Sequence, residues 1–318
     1  MAHFAGAGRY FYLLKGGHSI GGEHSTTERF NLLILKKGTF MQFFETKNGV
    51  NIPHIGFGTW AVSEGEETIK SIIMALEAGY RHIDTAMAYK NEKSIGIALK
   101  DSKLKRQEYF VTSKVWNNYR GYDKTKEAFY LSLESLNLDY LDMYLIHWPC
   151  SIQHTSEFDA VNADTWKALC DLYDEKLIRV IGVSNFKERH LKPLMSSNIK
   201  PMVNQIEYHP GYIQKDVVKY CREHEILVEA WSPMGRGRIL EHPLLKEIAK
   251  KYSKSIAQIC LRFCLDTNVL PLPKSVTPER IKENLDIDDF ILDDADLLAI
   301  TNMEECGWSN LDPDTITF

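Results

Sequence analysis

The chain has 318 residues, of which 44% are hydrophobic and 25% are charged, and it carries a formal net charge of −5. This composition is typical of a soluble globular protein, and the length allows either two small domains or one large α/β barrel. The acidic balance argues against a nucleic-acid-binding protein, which needs a clustered basic face. No apolar stretch approaches the roughly 20 residues that a membrane-spanning helix requires.

The six cysteines form neither a Cys-x-x-Cys pair nor a zinc-binding pattern with histidine. Cys260 and Cys264 lie four residues apart in a segment that is predicted to be helical, so they share one face and are expected to be buried thiols. Cysteines without a pairing pattern indicate a reducing compartment. We therefore predict a cytoplasmic protein without a metal site.

Residues 1–40 are rich in glycine and histidine and show no sustained hydrophobic periodicity. They lack the charged, apolar and cleavage regions of a signal peptide, although their basic balance leaves an organellar transit sequence as an alternative. We expect a dispensable or disordered extension, followed by one folded domain over residues 41–318.

Short apolar runs alternate with helical patterns from Met41 onward. The first two runs flank Asn48-Gly49, which predicts an N-terminal β-hairpin. Eight strand–helix units follow, with strands at 57–60, 82–85, 110–116, 141–148, 180–185, 202–208, 226–232 and 269–274. The helices that follow these strands are predicted at 66–77, 91–100, 160–175, 188–196, 214–223, 255–265 and 278–285. One more helix, after the third strand, is predicted to have Asp123 as its N-cap.

Strict alternation of strands and helices predicts parallel strands, and eight such units fit a (β/α)8 TIM barrel. Strands such as 141–148 are apolar on both faces, as buried parallel strands are. The alternative is a doubly wound sheet that binds a dinucleotide. That fold expects Gly-x-Gly-x-x-Gly after its first strand, and the motif does not occur in this sequence.

Four polar residues are predicted to meet at the carboxyl ends of the strands, where barrel enzymes have their active sites. Lys114 lies in an apolar strand and needs an anion, which Asp84 on the neighbouring strand can supply. Tyr89 and His147 follow at the same end of the barrel. Each has a structural explanation alone: a helix N-cap for Asp84, a packing ring for Tyr89, a core histidine for His147. Together they suit hydride addition to a carbonyl, because the cation lowers the pKa of a proton donor and the developing alkoxide is stabilised.

Six motifs resemble those of the aldo-keto reductases and occur in that family's order. They are His82-Ile83-Asp84-Thr85-Ala86-x-x-Tyr89, Thr112-Ser113-Lys114-Val115-Trp116, Leu145-Ile146-His147-Trp148-Pro149, Gly182-Val183-Ser184-Asn185-Phe186, Asn204-Gln205-Ile206-Glu207-x-His209-Pro210 and Pro273-Lys274-Ser275. The resemblance extends from about residue 41 to the end. It is strongest to the short microbial and protozoal reductases, such as prostaglandin F synthase and 2,5-diketo-gluconate reductase.

The resemblance implies NADPH-dependent reduction of aldehydes and ketones. Tyr89 would be the general acid, Asp84 and Lys114 would tune it, and His147 would orient the carbonyl. Residues expected at the nicotinamide and pyrophosphate are Ser184, Asn185, Gln205, Trp231, Ser232 and Met234, with two further cations, Arg236 and Arg238, beside the pyrophosphate. Residues expected to form the walls of the substrate pocket are Trp60, Trp116, Trp148 and Trp308.

The last strand–helix unit supports a phosphate site on physical grounds. Thr277 and Pro278 are typical of the N-cap and first position of a helix. Arg280 then falls in the first turn, where a cation opposes the helix dipole unless an anion is bound. Lys274, Ser275 and Arg280 are therefore predicted to hold the 2′-phosphate of NADPH. The resemblance adds Glu283 and Asn284 as adenine contacts.

Two other functions are weighed against a reductase. A non-catalytic NADPH-binding regulatory subunit is disfavoured by the complete set of four catalytic residues. A barrel glycosidase using Glu207 and Glu229 needs paired carboxylates at the barrel mouth and leaves Lys114 unexplained. The expected partner is a small-molecule carbonyl substrate, with no nucleic acid or membrane, and the chain is expected to be a monomer. Aromatic walls accept many carbonyl compounds, so the sequence does not name the substrate.

Overall fold

The computed structural model describes residues 30–34, 40–149 and 158–316. These residues form a three-stranded antiparallel sheet and an eight-stranded parallel sheet that is surrounded by helices. Most of the expected N-terminal extension, residues 1–29 and 35–39, and the cysteine at 150 lie outside the described residues. No helix within the described ranges is long and apolar enough to cross a membrane.

The N-terminal sheet contains β1 (Phe30–Ile34), β2 (Phe40–Glu45) and β3 (Asn51–Pro53). The predicted hairpin is confirmed, because β2 and β3 pair in antiparallel fashion around a turn in which Gly49 has a φ of 80°. Strand β1 was not predicted. It pairs with β2 along its whole length and lies within the segment that the sequence assigns to the extension. Its apolar run has no alternation of the kind that marks a half-buried strand.

The eight-stranded sheet is a closed barrel of parallel strands. Its strands are β4 (Phe57–Gly58), β5 (His82–Asp84), β6 (Phe110–Val115), β7 (Leu141–Ile146), β8 (Ile178–Ser184), β9 (Val203–Glu207), β10 (Leu227–Trp231) and β11 (Leu270–Leu272). Neighbouring strands pair in parallel in chain order. The ring closes where the amides of Gly56 and Gly58 donate to the carbonyls of Pro271 and Pro273, at 3.0 and 2.9 Å. The predicted (β/α)8 barrel is confirmed.

Helices cover the outside of the barrel. They are α1 (Glu66–Ala78), α2 (Glu92–Asp101), α3 (Tyr122–Leu136), α4 (Phe158–Asp174), α5 (Glu188–Leu194), α6 (Lys215–Glu223), α7 (Pro243–Tyr252), α8 (Ile256–Asp266), α9 (Pro278–Leu285) and α10 (Asp294–Thr301). Eight of them match predicted helices, whereas α7 and α10 were missed. A signal for α7 was present, since a proline at its first position precedes buried Leu245, Ile248 and Ala249. The predicted cap of α3 was wrong: Gly121 is the N-cap and Asp123 lies in the first turn.

The barrel interior explains why these segments become strands. Every residue of β6 and β7 is buried, as parallel strands covered by helices must be. Cys260 and Cys264 are buried on the inner face of α8, as predicted. The carboxyl ends of the strands therefore lie at one mouth of the barrel, and this mouth holds a large cleft.

Candidate active site

A cleft of about 1000 Å³ opens at the carboxyl ends of the barrel strands. This volume is suited to a cofactor-sized ligand. All of the site residues predicted from the sequence line it, except Lys114, Arg238 and Trp308. The structure thus brings together residues that are more than two hundred positions apart in the chain, from Trp60 to Asn284.

Lys114 lies beneath the floor of the cleft and is fully buried in β6. Its ammonium donates to both carboxylate oxygens of Asp84, at 2.7 and 2.8 Å, and to the carbonyl of Thr85 at 2.9 Å. Burial lowers the pKa of Lys114, but the charges of Asp84 and Tyr89 raise it by a larger amount. The net pKa therefore lies above its ordinary value. The predicted pairing across β5 and β6 is confirmed, and the ammonium keeps its proton.

Tyr89 stands next to this ion pair, in the short turn Met87–Tyr89 that follows β5. The Lys114 ammonium lies 5.2 Å from the centre of the Tyr89 ring. Burial raises the pKa of Tyr89, whereas the Lys114 charge lowers it, and the net direction is upward. The expected lowering of the Tyr89 pKa by Lys114 is present, but desolvation outweighs it in the protein without ligands.

His147 follows β7 and faces the Tyr89 ring edge to face, with the ring centres 5.6 Å apart. Burial, followed by the Lys114 charge, holds the pKa of His147 well below its usual value. The imidazole is therefore neutral at physiological pH. Its Nδ1 atom makes no hydrogen bond to the described residues. A neutral imidazole beside a phenol can offer one N–H donor to an oxygen in the cleft.

Gln205 joins the ion pair to a second buried acid. Its amide nitrogen donates to Asp84 at 2.8 Å and to Glu229 at 2.9 Å. Glu229 is fully buried, and burial followed by the Asp84 charge raises its pKa to about 8. At pH 7 this carboxyl is therefore largely protonated. The amide oxygen of Gln205 accepts no hydrogen bond from the described residues, and Gln205 lines the cleft.

The two carboxylates of the glycosidase alternative do not form a pair at the barrel mouth. Glu229 is buried in the barrel interior, and Glu207 accepts hydrogen bonds from the Ser309 amide and hydroxyl at 2.9 and 2.6 Å. Neither residue lines the cleft. Because a glycosidase needs both carboxyl groups at the substrate, the geometry argues against that function.

Ser184, Asn185 and Trp231 form one hydrogen-bonded group in the cleft. Asn185 donates to the His147 carbonyl at 2.9 Å and to the Ser184 hydroxyl at 3.0 Å, and accepts from the Trp231 indole at 2.7 Å. Asn185 has a φ of 66°, a left-handed conformation that asparagine tolerates better than most residues. This group fixes the orientation of the Trp231 ring in the cleft.

The cleft lining from the last strand–helix unit carries positive charge. Lys274 and Arg280 are exposed, and neither makes an ion pair with the described residues. The Thr277 amide donates to the Ser275 hydroxyl at 3.0 Å. As predicted, Thr277 is the N-cap of α9 and Pro278 its first residue. Two unpaired cations beside a helix N-terminus suit an anionic group.

Three of the predicted wall residues line the cleft, namely Trp60, Trp116 and Trp148. The Trp116 and His147 rings meet edge to face at 5.1 Å. Trp308, the fourth predicted wall residue, does not line the cleft. Its ring stacks instead on Tyr212, with the ring centres 5.8 Å apart. Leu311 of the C-terminal segment reaches the cleft and was missed.

Comparison with known proteins agrees with this arrangement. The model of the Aldo/keto reductase family matches residues 54–305. The chain belongs to the aldo/keto reductase family.

Two relatives of this aldo/keto reductase come from a bacterium and a protozoan. The chain is 46% identical to a glyoxal reductase of Bacillus subtilis over 272 residues, covering 85% of this chain and 96% of that protein. It is 44% identical to a 9,11-endoperoxide prostaglandin H2 reductase of Trypanosoma cruzi, covering 84% and 93%. A solved structure of an Asp-to-Ala mutant of Gox0644 in complex with NADPH superposes with a TM-score of 0.81 at 37% identity, covering 87% of this chain and 99% of that one. The resemblance to microbial and protozoal members is confirmed.

The two arginines expected beside the pyrophosphate differ in position in this aldo/keto reductase. Arg236 lines the cleft, whereas Arg238 does not. The Arg238 guanidinium donates instead to the carbonyls of Gly307 and Trp308 in the C-terminal segment. The residues at 255–257, around the start of α8, also line the cleft and were missed. Ser255 had a signal as an N-cap, but that signal reports helix geometry and not access to a cleft.

Proposed function

We propose that this aldo/keto reductase catalyses the NADPH-dependent reduction of aldehydes and ketones to alcohols, with Tyr89 as the general acid. One observation carries the proposal: the buried Lys114–Asp84 pair, Tyr89 and His147 converge at one point of the cleft. A non-catalytic NADPH-binding subunit remains the alternative. It would not need a buried ion pair directed at a phenol and a neutral imidazole.

The residues of the cleft fit NADPH. The free amide oxygen of Gln205, with Ser184 and Asn185, would hold the carboxamide of the nicotinamide, and the Trp231 ring would stack on it. Ser232 and Met234 border the expected pyrophosphate, and Lys274, Ser275 and Arg280 would hold the 2′-phosphate. Glu283 and Asn284 would contact the adenine. When bound, the cofactor supplies the hydride that reduces the carbonyl carbon.

The protein's own residues would manage the oxygen of the carbonyl. The neutral His147 would donate a hydrogen bond to it and fix its orientation. The Tyr89 hydroxyl would transfer its proton to the alkoxide as that oxygen gains charge. Lys114 stabilises the resulting phenolate, and Asp84 holds the ammonium in place. Because the proton is released only when negative charge develops, a raised pKa of Tyr89 in the empty cleft is compatible with this role.

The substrate class is proposed from the walls of the cleft and from the relatives. Trp60, Trp116 and Trp148 offer apolar surfaces of low specificity. The Bacillus subtilis relative is named a glyoxal reductase, which supports small aldehydes as substrates of this chain.

The test compares Tyr89→Phe with Tyr130→Phe, a change of the same atoms on an exposed residue of α3. With NADPH and a generic aldehyde, we expect Tyr89→Phe to lower kcat by about 10²–10⁴-fold, because the proton donor is lost. Both variants should bind NADPH as the unaltered protein does, measured by quenching of tryptophan fluorescence. Near-normal turnover in Tyr89→Phe would refute the assignment, and NADPH binding without any turnover in the unaltered protein would favour the regulatory alternative.

A further inference from the structure

Glu229 is a buried acid that the proposed reaction does not use. It lies in β10 directly opposite Gln205 of β9, and its carboxyl accepts a hydrogen bond from the Gln205 amide nitrogen at 2.9 Å. Its other oxygen makes no hydrogen bond to the described residues. The side chain is fully buried and does not line the cleft. Because a buried polar group needs a partner, the contact with Gln205 is what makes this position tolerable for an acid.

Two acids fix the orientation of the Gln205 amide. Its nitrogen donates to Asp84 at 2.8 Å as well as to Glu229, so both of its N–H donors are used inside the barrel. A single hydrogen bond would leave the amide free to rotate about that bond, whereas two hydrogen bonds fix its plane. The reverse orientation would set the amide oxygen against two carboxyl groups. The oxygen therefore points away from both acids, and Gln205 lines the cleft.

We propose that Glu229 is a positioning residue that acts through Gln205, holding the amide oxygen of Gln205 toward the cleft so that it accepts a hydrogen bond from the carboxamide nitrogen of the nicotinamide. An acceptor needs a donor, and of the two polar atoms of a carboxamide only the nitrogen donates. The inference rests on the proposed function, in which Gln205 binds this carboxamide. Glu229 would thus determine which atom of the cofactor is recognised, although it does not line the cleft.

The experiment compares the binding of two oxidised dinucleotides by calorimetry. They are NADP+ and 3-acetylpyridine adenine dinucleotide phosphate, in which a methyl group replaces the carboxamide nitrogen. The second compound therefore lacks the donor that Gln205 would bind. Gln205→Met is included as a reference, because it removes the proposed contact with the carboxamide itself.

Two variants alter Glu229 in different ways. Glu229→Met removes the acceptor and keeps a side chain of similar length. Glu229→Gln keeps an acceptor for the Gln205 amide. It also resembles the carboxyl that is present at pH 7, because burial followed by the Asp84 charge raises the pKa of Glu229 to about 8. Rescue by Glu229→Gln would show that the hydrogen bond, and not the ionised form of the acid, positions Gln205.

The matched control is Glu92→Met, which removes another buried acid. Glu92 accepts hydrogen bonds from the hydroxyls of Ser113 and Ser132, at 2.6 and 3.2 Å, and burial raises its pKa. Neither Glu92 nor these two serines line the cleft. A general effect of losing a buried carboxyl would therefore appear in this variant as well.

We expect Glu229→Met to weaken the binding of NADP+ by about threefold to tenfold, the effect of one hydrogen bond between uncharged groups. The Kd of the acetylpyridine compound should change less than about twofold. Gln205→Met should show the same selective loss. Glu229→Gln and Glu92→Met should keep both Kd values within about twofold of the unaltered protein. If Glu229→Met does not fold, Glu229→Asp takes its place, because its shorter side chain draws the carboxyl away from Gln205.

Several results would overturn the inference. In Glu229→Met, an equal loss for the two dinucleotides, or no loss for either, would refute it, as would the same selective loss in Glu92→Met. A selective loss in Gln205→Met alone would refute the role of Glu229 and leave the proposed carboxamide contact standing. If Gln205→Met binds both compounds as the unaltered protein does, or if the unaltered protein binds neither, the cofactor placement of the proposed function fails and the role of Glu229 fails with it.

Discussion

At the scale of single residues, the site depends on a lysine that could not be buried alone. The Lys114 ammonium is fully desolvated, and its three N–H donors go to Asp84 and the Thr85 carbonyl. An unpaired ammonium in this position would lose its proton or destabilise the fold. The need to pair it therefore determines where Asp84 must lie, and it leaves a positive charge beside Tyr89. The Lys114 ammonium therefore belongs both to the ion pair that the fold requires and to the surroundings of the proposed proton donor, Tyr89.

Arg280 is predicted to discriminate NADPH from NADH. The 2′-phosphate brings up to two negative charges to Lys274, Ser275 and Arg280, and a charge-assisted hydrogen bond contributes about 1.5–3 kcal/mol. Arg280→Ala should weaken NADPH binding roughly tenfold to a hundredfold and leave the Kd of NADH nearly unchanged. Quenching of tryptophan fluorescence measures both. Equal losses for the two cofactors would mean that Arg280 supports the adenine or the fold instead.

Glu229 should make the stability depend on pH. The carboxyl ionises near 4.5 in the unfolded chain but near pH 8 in the folded one, where burial and Asp84 oppose its charge. Between these values unfolding releases a proton, so the free energy of unfolding falls as the pH rises, by at most about 1.4 kcal/mol per pH unit. Glu229→Gln keeps the Gln205 hydrogen bond and has no proton to release. Its Tm should therefore exceed that of the unaltered protein by a margin that grows from pH 5 to pH 8.

The control for this prediction is Glu77→Gln, which alters an exposed glutamate of α1. Its Tm difference should stay small and constant over the same range, as scanning calorimetry would show. A Glu229→Gln variant that loses stability as the pH rises, relative to the unaltered protein, would contradict a protonated Glu229.

At the scale of elements, the carboxyl and amino ends of the barrel strands have different roles. The carboxyl ends of the strands carry the cleft, whereas Asp142, near the start of β7, binds elements together. Its carboxylate accepts from the Val111 amide at 2.9 Å and forms ion pairs of 2.7 Å with Arg106 and Arg179. It thus links β6, β7, β8 and the turn before β6. Substitutions at this amino end of the barrel should therefore affect stability and not catalysis.

Asp142→Ala is therefore expected to lower the free energy of unfolding by about 3–5 kcal/mol, because the change leaves two arginines and a buried amide without their partner. Denaturant unfolding measures the loss. At a temperature where the variant is folded, its kcat should match that of the unaltered protein. The control is Asp174→Ala, an exposed position at the end of α4, where less than about 0.5 kcal/mol is expected. A large loss of kcat in folded Asp142→Ala would contradict this division of tasks.

At the scale of the whole molecule, the cleft is assembled from nearly the whole barrel. Its lining runs from Gly58 to Leu311, and every residue that lines it lies after the N-terminal sheet. The C-terminal segment is fastened across the mouth by Lys187, which forms ion pairs with Asp312 and Asp314 at 2.8 and 2.9 Å. The ring of strands closes only when β4 meets β11. The lining of the cleft therefore depends on the closed barrel.

A chain that begins at Met41 is predicted to keep its Tm within about 2 °C and its full activity. Strand β1 pairs with β2 at the edge of the small sheet, and neither strand contributes to the cleft. Thermal unfolding and turnover of a generic aldehyde test this. An insoluble product, or a fall in Tm well beyond this range, would show that the first forty residues stabilise the barrel through β1.

The sequence by itself determined the alternation of strands and helices, the buried Lys114 and the order of six motifs. These features are local, because each depends on residues that are close together in the sequence. Parallel pairing then brings the strand ends together. The pairing of Lys114 with Asp84 could be predicted because both residues come near the carboxyl ends of adjacent strands, whereas Asp142 of β7 lies near the start of its strand. Strand β1 and helices α7 and α10 were missed because they lie outside the repeating unit.

Only the tertiary structure decided which side chains after each strand face the cleft. Arg236 and Arg238 are two residues apart in one loop, yet one points over Trp60 and the other toward the C-terminal segment. Trp308 packs on Tyr212, and Leu311 reaches the cleft in its place. The net pKa of Tyr89 likewise depends on how far burial outweighs the Lys114 charge. The direction of a loop side chain and the desolvation of a buried group both depend on contacts between segments that are distant in the sequence. Neither can therefore be predicted from a local sequence pattern.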